Sequence, residues 1–296
     1  MHMCWLSKYT TEVPLVVYLA PLSRILRYPR YTTVVVRIPV CQYLSDTPSP
    51  PASVPAANRH IADVTGKCYL CRRKIKPVKM KKLIIFDLDG TLLNTIADLA
   101  QSTNHALNAL GYPTHDEASY KFMVGNGINK LFERALPEGE KTEENVLRVR
   151  AQFIPYYDCH NADRSRPYPG ITELLEQLQS QHTLLAVASN KYHAATTKLI
   201  AHYFPQIRFA AVYGQREGIA TKPDPTIVAD ILRDTGVQPE DVLYVGDSAV
   251  DMQTALNARV TACGVTWGFR PRTELEALNP AYIVDQASDI LKIANK

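Results

Sequence analysis

KLIIFDLDGTLLNT, residues 82–95, is an apolar run that breaks abruptly into acid. Leu83–Phe86 has the length and β-branched content of a buried strand, and it ends in Asp87-Leu88-Asp89-Gly90-Thr91. In a parallel α/β sheet, ligands gather at the carboxyl ends of strands, and strand alternation turns Asp87 and Asp89 to one side while Leu88 points away. Two acids sharing a small space are costly unless a cation lies between them. The spacing therefore implies Mg²⁺, or a division of labour between one ionised and one protonated carboxyl. Gly90 and Thr91 let the backbone turn and offer donors to an anion. Taken alone, such a motif is as readily a solvated turn or part of a calcium loop. The calcium-loop reading fails because the later oxygen ligands and closing Glu are missing and a buried strand comes first.

Three later stretches repeat the arrangement. Thr183–Ala188 is a buried-strand pattern ending in Ser189-Asn190-Lys191. A hydroxyl and an amide there, ahead of a helix, either hold phosphate oxygens by neutral hydrogen bonds or simply cap the helix. Thr221-Lys222-Pro223-Asp224-Pro225 follows a strand pattern at Phe209–Tyr213. An ammonium fixed beside carboxylates and phosphate would offset their repulsion, although an isolated Lys-Pro pair also reads as a surface turn. Val242–Val245 is a third buried strand, leading into Gly246-Asp247-Ser248-Ala249-Val250-Asp251. Gly246 lets the backbone approach closely, and Asp247 adds a third carboxylate for a hard, oxygen-ligated cation. Asp251, one helical turn on, orients the cation's waters or Lys222, or is a polar residue of a helix's first turn.

Between the first two of these stretches the sequence is helical. Ile96, Leu99, Ala100, Ala106, Leu107 and Leu110 share a face that stops at Gly111, and further helices are predicted around 116–123, 126–136 and 142–158. No strand signal interrupts them, so an all-helical lid is expected over the carboxylates. Val124-Gly125-Asn126-Gly127-Ile128 does not complete a dinucleotide-binding pattern, since Lys130 takes the place of the last glycine and no strand precedes it. It reads as a turn with backbone donors leading into a helix. Arg166–Gly170 punctuates the chain, and Ile171, Leu174, Leu175 and Leu178 resume at helical spacing. The expected organisation is α/β: a Rossmann-like parallel-sheet core from residues 80–95 and 168–296, with a helical cap from 96–167 inserted in it.

The 296 residues and their overall charge of +4 conceal an asymmetry. Residues 1–79 hold 12 Lys and Arg against 3 Asp and Glu, whereas residues 80–296 hold 21 against 26. Nothing in the acidic part argues for nucleic acid. The first 79 residues carry nine prolines and scattered apolar residues, a composition that does not bury a core. Met80 stands where the first strand begins, so residues 1–79 are expected to be an unstructured or spurious extension; a basic tail binding nucleic acid or anionic membrane is the rival reading. Cys68 and Cys71 form a CxxC that lacks the further ligands of a zinc site. Cys159 and Cys263, the cysteines of the acidic part, suggest no disulfide framework, and a reducing cytoplasm is the simplest setting. The apolar stretch Val13–Leu26 is broken by Pro14 and Pro21 and is too short to span a bilayer.

The four acid, hydroxyl and lysine stretches, in this order, resemble the haloacid dehalogenase superfamily. VGNGINKLFERAL at 124–136, Asp251–Ala255 and Val265–Arg270 are further similar to bacterial phosphoglycolate phosphatases. The resemblance implies that Asp87 attacks phosphorus to form an aspartyl-phosphate and that Asp89 protonates the leaving alcohol and later activates water. It implies that Ser189, Asn190, Lys222 and the Gly90-Thr91 turn hold the phosphoryl group. Mg²⁺ would take the side chains of Asp87 and Asp247 and the backbone carbonyl of Asp89, with Asp251 behind them. The partner would be a small phosphorylated metabolite, 2-phosphoglycolate first, with a sugar phosphate, nucleotide or pyrophosphate, or a phosphomutase reaction like that of β-phosphoglucomutase, as alternatives. Asp89 argues against a dehalogenase, because a departing halide needs no proton. A regulatory module would be expected to have lost an aspartate or Lys222, and none is missing.

Overall fold

A computed structural model describes residues 80–296. The predicted extension, the CxxC pair and the apolar stretch near the amino terminus lie outside the described residues. Six strands form one parallel sheet: β1 (Leu83–Phe86), β4 (Leu184–Tyr192), β5 (Phe209–Gln215), β6 (Val242–Gly246), β7 (Thr261–Val265) and β8 (Tyr282–Val284), in the order β5-β4-β1-β6-β7-β8. β1 lies inside, with Leu83 in register with Leu184 on one side and Val242 on the other. The topology switches on either side of β1, which opens a crevice at its carboxyl end.

Alternation along the strands explains why both faces are covered. Ile84, Phe86, Leu185, Val187, Leu243 and Val245 pack with α5 (Ile171–Ser180), α6 (His193–Tyr203) and α10 (Ala287–Ala294). Leu83, Ile85, Ala186, Ala188, Val242 and Tyr244 face α7 (Thr226–Thr235) and α8 (Ala249–Asn257). A sheet buried on both sides requires the near-continuous apolar runs that marked β1 and β6 in the sequence.

The helices between β1 and β4 pack around a separate cluster. α1 (Ile96–Ala109), α2 (Glu117–Met123), α3 (Ile128–Ala135) and α4 (Glu143–His160) bury Leu99, Leu107, Tyr120, Leu131, Phe132, Val149, Phe153 and Tyr157 together. Asp116 and Thr142 cap α2 and α4 by accepting from Ser119 N and Asn145 N. Where the chain leaves for these helices and returns, β2 (Leu93–Asn94) pairs antiparallel with β3 (Arg166–Pro167), a two-residue ribbon too short to leave a sequence signal. Asp98 in α1 fixes the return, accepting from Arg164 N, Ser165 N and Ser165 Oγ. Among the described residues no helix is long and apolar enough to cross a membrane.

The sheet departs from the sequence expectation at β4. Its pairing does not stop at Ala188 but resumes past an irregularity, so that Tyr192 pairs with Gln215 and Ser189, Asn190 and Lys191 belong to the strand itself. β5 is correspondingly longer than Phe209–Tyr213 and supplies the extra edge.

Candidate active site

The carboxyl ends of β1, β4 and β6 converge. Asp87 extends β1 by one ladder bond, from its N–H to Val245 O, and the chain then turns through Gly90 at φ 87°. Leu88 points into the core, while Asp87 and Asp89 both line one cavity with Ser189, Asn190, Lys191, Asp247 and Phe269. Close packing of loops makes this convergence possible. A Cβ on Gly90 would stand 2.3 Å from Asp247 Oδ2, and one on Gly268 would stand 2.3 Å from Asp247 Cβ and 2.5 Å from Gly90 O. Gly246 plays the part read from the sequence: a Cβ there would meet Asp251 Cβ at 2.2 Å.

The two aspartates of the first motif enter different environments. Asp87, Asp247 and Asp251 are all buried and bring carboxylate oxygens within 4.8 Å of one another. Lys222 Nζ lies 2.9 Å from Asp87 Oδ1 and 2.8 Å from Asp251 Oδ1, and it donates to Ala188 O at 2.9 Å. The three N–H groups of the ammonium thus face Asp251, Ala188 O and Asp87. Ser248 Oγ and N–H donate to Asp251 Oδ2, closing the amino end of α8 as a capping box. Phe269 N–H donates to Asp247 Oδ2 at 2.7 Å. The side chain of Asp89 belongs to none of this: it accepts from Thr95 Oγ1 at 2.7 Å and from Lys191 Nζ at 3.0 and 2.9 Å.

Burial dominates the titration of the inner cluster. It pushes Asp87 up to about 7 despite the opposing pull of Lys222. Asp247 is raised well above the carboxylate range, by burial first and then by Asp251 and Asp87. Burial works against the charge on Lys222 as well, but Asp251 and Asp87 outweigh it and hold the ammonium well above the usual lysine range. Three buried carboxyl groups share one buried ammonium, and a divalent, oxygen-ligated cation would supply the charge needed to ionise the two that burial raises.

Ser189 and Asn190 are placed at the cavity but engaged differently. Ser189 Oγ accepts from Lys191 N–H at 3.2 Å, leaving its own proton to give. Asn190 spends its amide on backbone, donating to Gly125 O and Lys222 O and accepting from Lys222 N–H. It braces the loop before α3 against the Lys222 loop. Thr91 is buried with Oγ1 unpartnered. Lys191, Thr95 and Arg270 are the neighbours that motif reading did not single out. Lys191 had a signal, because period-two alternation within a strand places it on the side of Ser189.

Comparison with known proteins accords with this geometry. The family of haloacid dehalogenase-like hydrolases matches residues 84–265. The chain belongs to that family. A phosphoglycolate phosphatase of Mannheimia succiniciproducens is 34% identical over 218 residues, 72% of this chain and 97% of its own. One from Agrobacterium fabrum is 35% identical over 212 residues, 70% of this chain and 89% of its own. A solved structure from Lactobacillus delbrueckii subsp. bulgaricus superimposes with a TM-score of 0.69 at 31% identity, covering 73% of this chain and 99% of that one. The chain is thus a phosphatase-type enzyme of the haloacid dehalogenase-like family, and it resembles the phosphoglycolate phosphatases.

Proposed function

We propose that this enzyme hydrolyses a small phosphate monoester, 2-phosphoglycolate before others, through an aspartyl-phosphate on Asp87. The observation that carries the reading is the separation of the two aspartates: Asp87 is buried with Asp247, Asp251 and Lys222 in a cation-seeking cluster, and Asp89 stands apart on Thr95 and Lys191. Asp87 attacks phosphorus while Asp89 gives its proton to the departing ester oxygen, and Asp89 then takes a proton from the water that opens the acyl phosphate. Lys222 and the proton of Ser189 Oγ face the charge that builds on the phosphoryl oxygens. Asp87, Asp247 and the backbone carbonyl of Asp89 would hold Mg²⁺, with Asp251 fixing Lys222 behind them. The ion, when bound, neutralises the transferring group and the nucleophile together.

Leu99, Val124, Ile128, Leu131 and Phe269 supply apolar walls above the polar floor of the cavity. The matching names of the relatives point to 2-phosphoglycolate. Helices α1–α4 act as the lid, and the cytoplasm is the setting. The test is Mg²⁺-dependent phosphate release from 2-phosphoglycolate, sugar phosphates, nucleotides and pyrophosphate. A preference of ten-fold or less for phosphoglycolate would overturn the substrate, and no Mg²⁺-dependent release at all would overturn the mechanism.

A further inference from the structure

Three successive carbonyls of the loop before α3, which lines the cavity, are each taken by a side chain from a different part of the fold. Arg134 of α3 donates to Met123 O at 2.7 Å, Arg270 donates to Val124 O at 2.9 Å, and Asn190 of β4 donates to Gly125 O at 2.9 Å. The grips differ in what lies behind them. Arg134 gives its other hydrogen bond to Asn126 in the same loop, and Arg270 approaches Glu274. Asn190 carries on into the catalytic floor: the same Nδ2 donates to Lys222 O at 3.1 Å, and Oδ1 accepts from Lys222 N–H at 2.8 Å. Among the described residues no other group bonds the backbone of Lys222.

The chemistry of the amide fixes how it sits. Two of its partners are carbonyls that only accept and the third is an N–H that only donates, so a turned amide would set its oxygen against two oxygens. An amide offers both kinds of group in one rigid plane, whereas a hydroxyl would have one proton for two carbonyls. Asn190 is 6% exposed, so a lost partner leaves a buried polar group unpaired. The head of Lys222 is held by the same strand, where Nζ donates to Ala188 O at 2.9 Å. β4 thus holds Lys222 at both ends, and the backbone end is shared with the loop at Gly125. From this we infer that Asn190 is a positioning residue: it sets Lys222 against the phosphoryl group and ties that placement to the seating of the loop before α3. The inference rests on the phosphatase reading above, and it replaces the phosphate-holding role that the motif implies for Asn190 with one exercised through Lys222.

The grips therefore divide their work. Lys222 Nζ stands 2.9 Å from Asp87 Oδ1, and displacing such a group by about 1 Å is enough to cost on the order of 100-fold in rate. Without the amide the backbone of Lys222 keeps no hydrogen bond, and its ammonium is located by Ala188 O and the carboxylates alone. The loop, by contrast, keeps Arg134 and Arg270. Loss of Asn190 should slow the chemical step more than it weakens binding, and loss of Arg270 should do the reverse. By linkage the tie works in both directions: an anion that draws Lys222 into place should also steady the loop.

The experiment measures kcat and KM of the full chain with Mg²⁺ on 2-phosphoglycolate and on ethyl phosphate, which has the same skeleton without the carboxylate. Asn190→Ala should lower kcat about 100-fold alike on both, because Lys222 faces the phosphoryl group they share, with KM changed about fivefold or less. In the Lys222→Met background the same substitution should cost less than about twofold, since effects exerted through one group do not add. Hydrogen exchange supplies a readout that needs no turnover. With Mg²⁺ and inorganic phosphate at concentrations that saturate each protein, amides of residues 122–131 should exchange about tenfold more slowly than without phosphate in the wild type, and no more slowly in Asn190→Ala. Circular dichroism and thermal midpoints establish that each variant is folded; Asn190→Ser replaces an Asn190→Ala that does not fold, and exchange alone decides if Lys222→Met does not. The inference is wrong if Asn190→Ala raises KM about tenfold or more with kcat kept, if its cost persists in the Lys222→Met background, or if phosphate still protects the loop without the amide. If the wild type releases no phosphate from any ester, it is the phosphatase reading that has failed.

Discussion

Asp87, Asp247, Asp251 and Lys222 form a charged floor at the carboxyl end of the sheet, whereas the helices facing the cavity present Leu99, Ile128 and Leu131 and bury Phe132, Phe153 and Tyr157 behind them. The floor is held by strand ends and by glycines that admit no side chain, so its atoms are fixed by the fold. The helical side is held by apolar packing around its own cluster, with Asn190 and Arg270 reaching across from the sheet to the loop at 124–127. Substitutions on the two sides should therefore fail differently.

The largest effect belongs to Asp87→Asn. Removing the nucleophile should lower kcat by at least about 10⁴-fold on every ester tested. The fold should not suffer, because the carboxylate is already pushed up to about 7 by burial and an amide of the same shape carries no charge to bury. A thermal midpoint at pH 8 without metal that fell well below wild type would contradict the electrostatic account of the floor.

Lys222→Met tests the same floor from the other sign. It leaves Asp87 and Asp251 buried without their ammonium, and a broken buried ion pair typically costs about 3–5 kcal/mol. Urea denaturation should show that loss, and the double variant with Asp87→Asn should recover part of it, since the two residues are 2.9 Å apart and their effects cannot add.

Proton and metal compete for the floor. In metal-free protein the folded state binds a proton at Asp87 that the unfolded chain has already released at about its ordinary value of 3.8. Stability contributed by that group is therefore greatest in acid and declines as pH rises from about 4 through 7. Mg²⁺ requires the deprotonated carboxylates, so its affinity should run the other way, weakening about tenfold per pH unit per displaced proton below pH 7. Calorimetric Mg²⁺ titrations at pH 6 and pH 8 check this, and equal affinities would argue that the ion binds elsewhere.

The floor was legible in the sequence because β1 and β6 each place an acid directly after an apolar run, and the motifs name their own positions. Lys222 was legible only in company, since a Lys-Pro pair has no meaning until Asp87 and Asp251 stand beside it. The pairing of Lys191 with Asp89 was hidden because it depends on β4 continuing past Ala188, and strand ends are decided by a neighbour, here β5, rather than by local preference. Asn190 shows what a motif does not report: its side-chain amide donates to the backbone of Gly125 and Lys222. The β2–β3 ribbon and the Asp98 anchor join residues more than sixty positions apart, and no periodicity in a single chain reports such contacts.

The smallest effect belongs to Arg270 at the rim of the cavity. Arg270 reaches Val124 O at 2.9 Å and its guanidinium lies 5.5 Å from the Phe122 ring, so it fastens the loop before α3 to the sheet. Its loss removes the hydrogen bond to Val124 O, a longer one to Phe122 O, the contact with Glu274 and one cation–ring contact, together about 1–2 kcal/mol at a partly exposed site. If the loop must be closed for any ester to bind, Arg270→Ala raises KM by about tenfold or less, with kcat nearly unchanged, and does so alike for 2-phosphoglycolate and ethyl phosphate. Were Arg270→Ala instead to spare ethyl phosphate and penalise phosphoglycolate, the guanidinium would be reading the carboxylate at the mouth of the cavity rather than only fastening the loop.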